Sequence, residues 1–252
     1  MTKDLKGKVA LITGAARNIG RATAMTLAGH GVNLVLCTRQ SSVTQLNEAA
    51  AEARALGVKV LAAACDVTKE DDVKALVKQA VGEFGRVDIL VNNATFRVHG
   101  KFRDLTPDTW SQAIAVNLYG PFYFSRELLP LMVENRWGRI INYSGNSAHR
   151  GNGAATSTVK AGIMGFTRSL AREYGRHQIT VNCISPGSIQ TKRSPGTERE
   201  SDLTGEVNPD LPIARFGTPE EVASLVAYLA GEEAAYITGQ SIGVNGGAHF
   251  AF

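Results

Sequence analysis

The string Thr13-Gly14-Ala15-Ala16-Arg17-Asn18-Ile19-Gly20 closes one apolar run and opens a segment with apolar residues at helical spacing. Gly14 permits a tight turn out of the run, and Gly20 lets the following helix pack closely on it. Such a turn aims the free N–H groups and the positive dipole end of the helix at an anion. Gly14, Arg17, Asn18, Ile19 and Gly20 are therefore candidate contacts for the pyrophosphate of a dinucleotide. A glycine pattern alone is weak; its place between the first strand and the first helix makes it specific.

Two arginines bear on which dinucleotide. An NAD site usually ends its second strand in a carboxylate that binds the ribose 2′-hydroxyl. Here that run ends Leu36-Cys37-Thr38-Arg39. Arg39 suits a 2′-phosphate as a bidentate partner, and Arg17 in the glycine turn can reach the same group. The bland alternative is a pair of solvated surface arginines. NADP(H) is favoured over NAD(H).

The elements that must position these residues alternate along nearly the whole chain. Strand candidates are Val9–Thr13, Asn33–Cys37, Lys59–Cys65, Ile89–Asn92, Ile140–Ser144, Thr180–Ile184 and Ser241–Val244. Several are continuously apolar, as strands covered on both faces are. Between them Ile19–Ala28, Val43–Leu56, Glu70–Phe84, Pro107–Met132 and Asn152–Tyr174 read as helices. The alternation predicts an α/β fold: a Rossmann-type, doubly wound parallel sheet of about seven strands with helices on both faces. No repeat or low-complexity linker divides the 252 residues, so a single domain is expected. The charged, Pro- and Gly-rich stretch Lys192–Asp210 follows the sixth strand, and a substrate lid is expected over about 192–214, with a plain solvated loop as the alternative.

Composition narrows the partners. Lys and Arg total 27 against 23 Asp and Glu, a surplus of +4 with no basic run to suggest nucleic acid. Cys37, Cys65 and Cys183 lack paired spacing and read as buried apolar residues of a reducing compartment, and no metal site is expected. A polar start and the absence of any long apolar stretch predict neither signal peptide nor membrane span, with the cytoplasm as the default compartment.

Six strings in register give the chain a family resemblance. TGAARNIG resembles the TGxxxGxG turn of short-chain dehydrogenases/reductases, with Asn18 where the middle glycine usually stands. Cys65-Asp66-Val67 is similar to that family's adenine-contacting segment. Asn92-Asn93-Ala94 resembles its NNAG, with Thr95 replacing the glycine. Asn117 matches the helix asparagine that orders a catalytic water. Pro186-Gly187 followed by Thr191 resembles the PGxxxT segment that contacts the nicotinamide carboxamide. The stretch from Arg215 to Gly247 is similar to the C-terminal signature of the family's 3-oxoacyl-[acyl-carrier-protein] reductase-like members. The resemblance implies cofactor contacts at Asp66, Val67, Asn93, Ala94, Lys160, Pro186, Gly187 and Thr191, and a homotetramer built on its long helices and apolar C-terminus.

The family's working motif is Ser…Tyr-x-x-x-Lys, and here the chain departs from it. Lys160 matches the lysine, but Thr156 stands one turn back where the tyrosine belongs, and no tyrosine occurs between Tyr143 and Tyr174. Aligning on Gly138–Asn142 puts Gly145 at the serine position and Ser144 just before it. The span from Gly145 to Thr156 is shorter than usual, which predicts a remodelled pocket floor. A phenol near pKa ~10 can be tuned toward neutrality by a lysine. An aliphatic hydroxyl, nearer water at about 15.7, cannot. Thr156 can relay a proton or orient a water but is a poor acid. Tyr143, which strand alternation could point toward the pocket, and His149 are further candidates, though core packing is favoured for Tyr143 and plain solvation is the commoner fate of a loop histidine.

The expectation is an NADP(H)-dependent oxidoreductase moving a hydride to or from a small-molecule carbonyl or alcohol, or a C=C or imine substrate, by a modified route. Lys160, Thr156, Asn117 and Ser144 are its candidate catalytic residues. The alternative is a silent NADP(H)-binding sensor or partner protein.

Overall fold

The computed structural model describes residues 5–98, 100–191 and 211–250. Seven parallel strands form one sheet in the order β3-β2-β1-β4-β5-β6-β7. They are β1 (Val9–Thr13), β2 (Asn33–Thr38), β3 (Val60–Ala64), β4 (Ile89–Asn92), β5 (Gly138–Tyr143), β6 (Ile179–Pro186) and β7 (Ser241–Val244). The helices are α1 (Asn18–Gly29), α2 (Val43–Ala55), α3 (Glu70–Phe84), α4 (Pro107–Ile114), α5 (Gly120–Glu134), α6 (Asn146–Arg150), α7 (Ala154–Tyr174) and α8 (Pro219–Ala230). The strand order reverses direction between β1 and β4, the crevice where doubly wound sheets take ligands.

Each strand feeds two cores because its side chains alternate. Ala10, Ile12, Leu34, Leu36, Ile89 and Val91 pack with Ala24 and Leu27 of α1, Leu46 of α2 and Val226 of α8. Val9, Leu11, Val35, Leu90 and Ile140 pack on the other side with Leu76 of α3, Phe124 and Leu128 of α5 and Leu170 of α7. All five positions of β1 and all eight of β6 are buried. Hence the unbroken apolar runs.

Two expectations change, and the favoured core packing of Tyr143 holds. The helix expected over Pro107–Met132 is interrupted by a π-helical turn at Ala115–Tyr119, which separates α4 from α5. A π turn widens the backbone ladder, and such turns often mark functional positions; this one carries Asn117. The helix expected from Asn152 starts at Ala154, after Gly153 at φ 82°. Tyr143 packs in the core between the sheet and α1 and α8, not toward the pocket. Strand alternation ends with β5, and Gly145 at φ 156° turns the chain, so a two-residue step across that junction no longer means a shared face.

Most of the expected lid, residues 192–210, lies outside the described residues. Its end is tied to the C-terminal segment, with the Ile213 N–H donating to the Gly246 carbonyl at 3.0 Å. Among the described residues no helix is long and apolar enough to cross a membrane.

Candidate active site

The glycine turn is built so that side chains cannot occupy it. A Cβ on Gly20 would collide with the Gly14 carbonyl and sit 2.5 Å from Asn93 Nδ2, and one on Gly14, at φ 65°, would lie 3.1 Å from Ala94 Cα. Asn18 has φ 51°. That left-handed conformation is the reason a glycine suits the position, and asparagine is among the side chains that tolerate it best. No side chain caps α1 at Arg17, and its first turn carries no acid. The helix end is thus left to a ligand.

A hydrogen-bonded staple joins β1 to β4 across the crevice. Thr13 Oγ1 accepts from the Asn93 N–H (3.0 Å) and the Ala94 N–H (2.9 Å), while Asn93 Nδ2 donates to the carbonyls of Thr13 (2.9 Å) and Gly14 (3.0 Å). The Ala15 N–H donates to the Cys37 carbonyl, fixing the turn against β2. Arg17 and the exposed Arg39 sit close enough to share a field: burial lowers the Arg17 pKa first, and Arg39 lowers it further. A doubly charged anion would relieve that repulsion.

Asp66 turns back on its own loop, its Oδ1 accepting from the backbone N–H (3.0 Å) and hydroxyl (2.7 Å) of Thr68. Val67 lies against Gly120, where a Cβ would come within 3.2 Å of its side chain. Gly187 presses on the C-terminal segment, since a Cβ there would lie 2.6 Å from Asn245 Cα. Pro186 ends β6, and Thr191 closes the described part of the loop after it.

On the other side of the crevice Lys160 is 7% exposed. Its Nζ donates to the Tyr143 carbonyl (3.1 Å) and to Thr95 Oγ1 (3.2 Å). Burial, with Arg97 as a second cause, pulls its pKa down to about 8. Asn117 Nδ2 donates to the carbonyls of Phe96 (2.8 Å) and Ala113 (2.9 Å), and its Oδ1 accepts from the Thr95 hydroxyl (2.8 Å). Thr95 thus stands between Lys160 and Asn117. The departure from NNAG was visible in the sequence, but nothing in the pattern said what the extra hydroxyl would touch.

Thr156 is engaged elsewhere. Its hydroxyl donates to the Val98 carbonyl (3.0 Å) and accepts from the Val98 N–H (3.1 Å), clamping α7 to the loop after β4. A cleft of about 140 Å³ opens beside this clamp, lined among others by Phe102, Leu105, Thr109 and Ala155. Ser144 is buried and bonds weakly, its Oγ 3.5 Å from the Ile184 carbonyl. Tyr143 is wholly buried, and burial pushes its phenol pKa well above the usual range. His149 stacks on His249 of the C-terminal segment, ring centroids 4.0 Å apart. Among the described residues no group of acidic, His and Cys side chains is placed to hold a metal ion.

A family described as Enoyl-(Acyl carrier protein) reductase matches residues 14–249. The 3-oxoacyl-[acyl-carrier-protein] reductase FabG of Thermotoga maritima is 37% identical over 248 residues, covering 96% of this chain and 98% of that one. Nodulation protein G of Rhizobium sp. (strain N33) is 41% identical over 247 residues, covering 97% and 98%. A short-chain type dehydrogenase/reductase from Mycobacterium marinum superposes with a TM-score of 0.89 at 32% identity, over 99% of this chain and 98% of its own. The chain belongs to the short-chain dehydrogenase/reductase family. As a short-chain dehydrogenase/reductase it is an oxidoreductase of the 3-oxoacyl-[acyl-carrier-protein] reductase type. The crevice between β1 and β4 is where such a sheet holds its dinucleotide.

Proposed function

We propose that the protein is an NADP(H)-dependent oxidoreductase acting on a small carbonyl or alcohol, or on a C=C or imine substrate, by a route without the family's phenol. The observation that carries this reading is a glycine turn from which side chains are excluded, held by Asn93 to the end of β4, where the loop residue Thr95 bonds to the buried Lys160. The cradle fits the cofactor because side chains are excluded at Gly14 and Gly20, and because Arg17 and Arg39 concentrate positive charge beyond β2. Gly14, Asn18, Ile19 and Gly20 would hold the pyrophosphate, Arg17 and Arg39 the 2′-phosphate. Asp66 and Val67 would meet the adenine, Asn93 and Ala94 line the crevice, and Lys160, Pro186, Gly187 and Thr191 receive the nicotinamide end. Bound there, the dinucleotide supplies or accepts a hydride.

Lys160 would hold the nicotinamide ribose and provide a cationic, proton-bearing group beside the reacting atoms. Asn117 and the Val98–Thr156 clamp would fix the wall of the pocket, with Ser144 beneath it. The homotetramer expected from the family is supported by the exposed Tyr119 and Phe122 around Tyr123 on the α4–α5 segment.

Fluorescence titration with NADPH and NADH, followed by NADPH oxidation with acetoacetyl-coenzyme A, crotonyl-coenzyme A and a cyclic imine, tests the reading. The names of the relatives make the 3-oxoacyl thioester the first of these to try. Tighter binding of NADPH and turnover of one probe class are expected. Binding without turnover of any class would overturn the catalytic reading.

A further inference from the structure

We propose that the Thr95 hydroxyl delivers the proton to the substrate, swinging its O–H from Asn117 to the substrate and drawing a replacement proton from Lys160. This rests on the oxidoreductase reading and names the proton donor that the reading leaves open.

Reduction of a carbonyl by hydride leaves an oxygen that must gain one proton. Thr156, Tyr143 and Ser144, the other candidate hydroxyls, lack the ammonium partner that Thr95 has in Lys160. Thr156 Oγ1 both donates and accepts at Val98, Tyr143 lies in the core on the α1 side of the sheet, and Ser144 is buried at 4% exposure. Thr95 is exposed, whereas Lys160 and Asn117 are buried, so it is the member of the bonded chain that opens to solvent. Its hydroxyl accepts from Lys160 Nζ at 3.2 Å and donates to Asn117 Oδ1 at 2.8 Å. Both partners are themselves held: Asn117 Nδ2 by two backbone carbonyls, and Lys160 Nζ by the Tyr143 carbonyl. The oxygen therefore sits in one place with its donor already aligned.

The step balances. The Thr95 O–H first turns from Asn117 Oδ1 to the substrate oxygen; it then breaks as the new substrate O–H bond forms, and a Lys160 N–H bond breaks as the Thr95 O–H bond reforms. Lys160 passes from ammonium to amine and regains its proton from water. A threonine hydroxyl is too weak an acid to act alone. Coupled to an ammonium that titrates at about 8, it passes on a proton it never has to hold in deficit.

The test uses the full chain and acetoacetyl-coenzyme A, whose 3-oxo group must gain the proton on oxygen; consumption of crotonyl-coenzyme A alone would overturn the proposal. Thr95→Val keeps the shape and removes the hydroxyl. Its kcat should fall about 10²-fold or more, with KM and the NADPH dissociation constant within about twofold. Thr95→Ser should retain most of the rate. The wild-type kcat for reduction should decline as pH rises through about 8, where the ammonium is lost, and Thr95→Val should flatten that decline. A readout independent of turnover is the titration of Lys160, followed by NMR of labelled lysine ε-carbons and assigned with Lys160→Met. Loss of an accepting oxygen in Thr95→Val should lower that pKa, and Thr95→Ser should leave it in place. Equal kcat in wild type and Thr95→Val, equal losses in the Val and Ser variants, or an unmoved Lys160 titration would each overturn the proposal while the oxidoreductase reading stands. If the wild type turns over no probe, the oxidoreductase reading falls and takes this one with it.

Discussion

The two walls of the crevice use hydrogen bonds in opposite ways. On the β1–β2 side, Thr13 and Asn93 spend their polar groups on backbone, leaving the glycine turn and the end of α1 open to an anion. On the β5–α7 side, polar side chains bond to one another and to the loop after β4, so that Lys160, Thr95, Asn117, Thr156 and Val98 form a web with little left over. The first wall is preorganised for a bound group, and its geometry tolerates no change. The second is organised around its own residues, and chemistry there must come from a group within the web.

The strongest test of the contrast is Gly20→Ala. Its Cβ has no room beside the Gly14 carbonyl and Asn93, so the staple must shift. A destabilisation of about 1–3 kcal/mol is expected in denaturant melts, with NADPH binding lost from the fluorescence titration. A variant that binds as wild type would show that the turn is not the rigid cradle described. Next in size is Arg39→Ala. Removing a charged partner of a phosphate costs about 1.5–3 kcal/mol, so the preference for NADPH over NADH should shrink by roughly 10- to 100-fold. An unchanged ratio would return Arg39 to the solvated surface.

Thr156→Val separates the two walls most sharply. If the hydroxyl is a clamp, the variant leaves the Val98 N–H and carbonyl unpaired and loses about 1–3 kcal/mol of stability, with kcat within a few-fold of wild type. If Thr156 is the proton donor, kcat should instead drop by about 10²–10⁴ with the melting temperature little changed. The smallest effect belongs to Asn18→Gly. Relief of the left-handed backbone at φ 51° should be nearly offset by the added freedom of the unfolded chain. We expect a stability change within about 1 kcal/mol and unaltered NADPH binding. A large loss of binding would show that the Asn18 side chain itself holds the ligand.

Much of the first wall was legible in the chain. Gly14, Gly20 and Arg17 lie within one short turn, and Arg39 follows the next strand, so local spacing and one strand connection suffice to bring them together. The strand runs were equally plain, most of all β1, β2 and β4, whose burial on both faces leaves them nearly all apolar. The second wall was legible only in part. Lys160 and Asn117 could be matched by motif. The break at Ala115–Tyr119 was missed, although Gly120-Pro121 just after it is the kind of pair that starts a new helix. The core packing of Tyr143 was favoured from the chain, although alternation alone pointed it to the pocket, because alternation assigns faces only while the strand lasts and β5 ends at that residue.

The sequence by itself determined the parallel α/β layering, the glycine turn and the placing of Lys160 one helical turn after Thr156. These follow from backbone periodicity and local conformational preference. Only the tertiary structure decided that Thr95 meets both Asn117 and Lys160, and that Thr156 turns to Val98 instead of to the crevice. Those pairs are 22, 65 and 58 residues apart. A hydrogen bond forms or fails over a few tenths of an ångström. No pattern along the chain carries that precision; it arises when three segments are packed to a common point by cores that lie elsewhere.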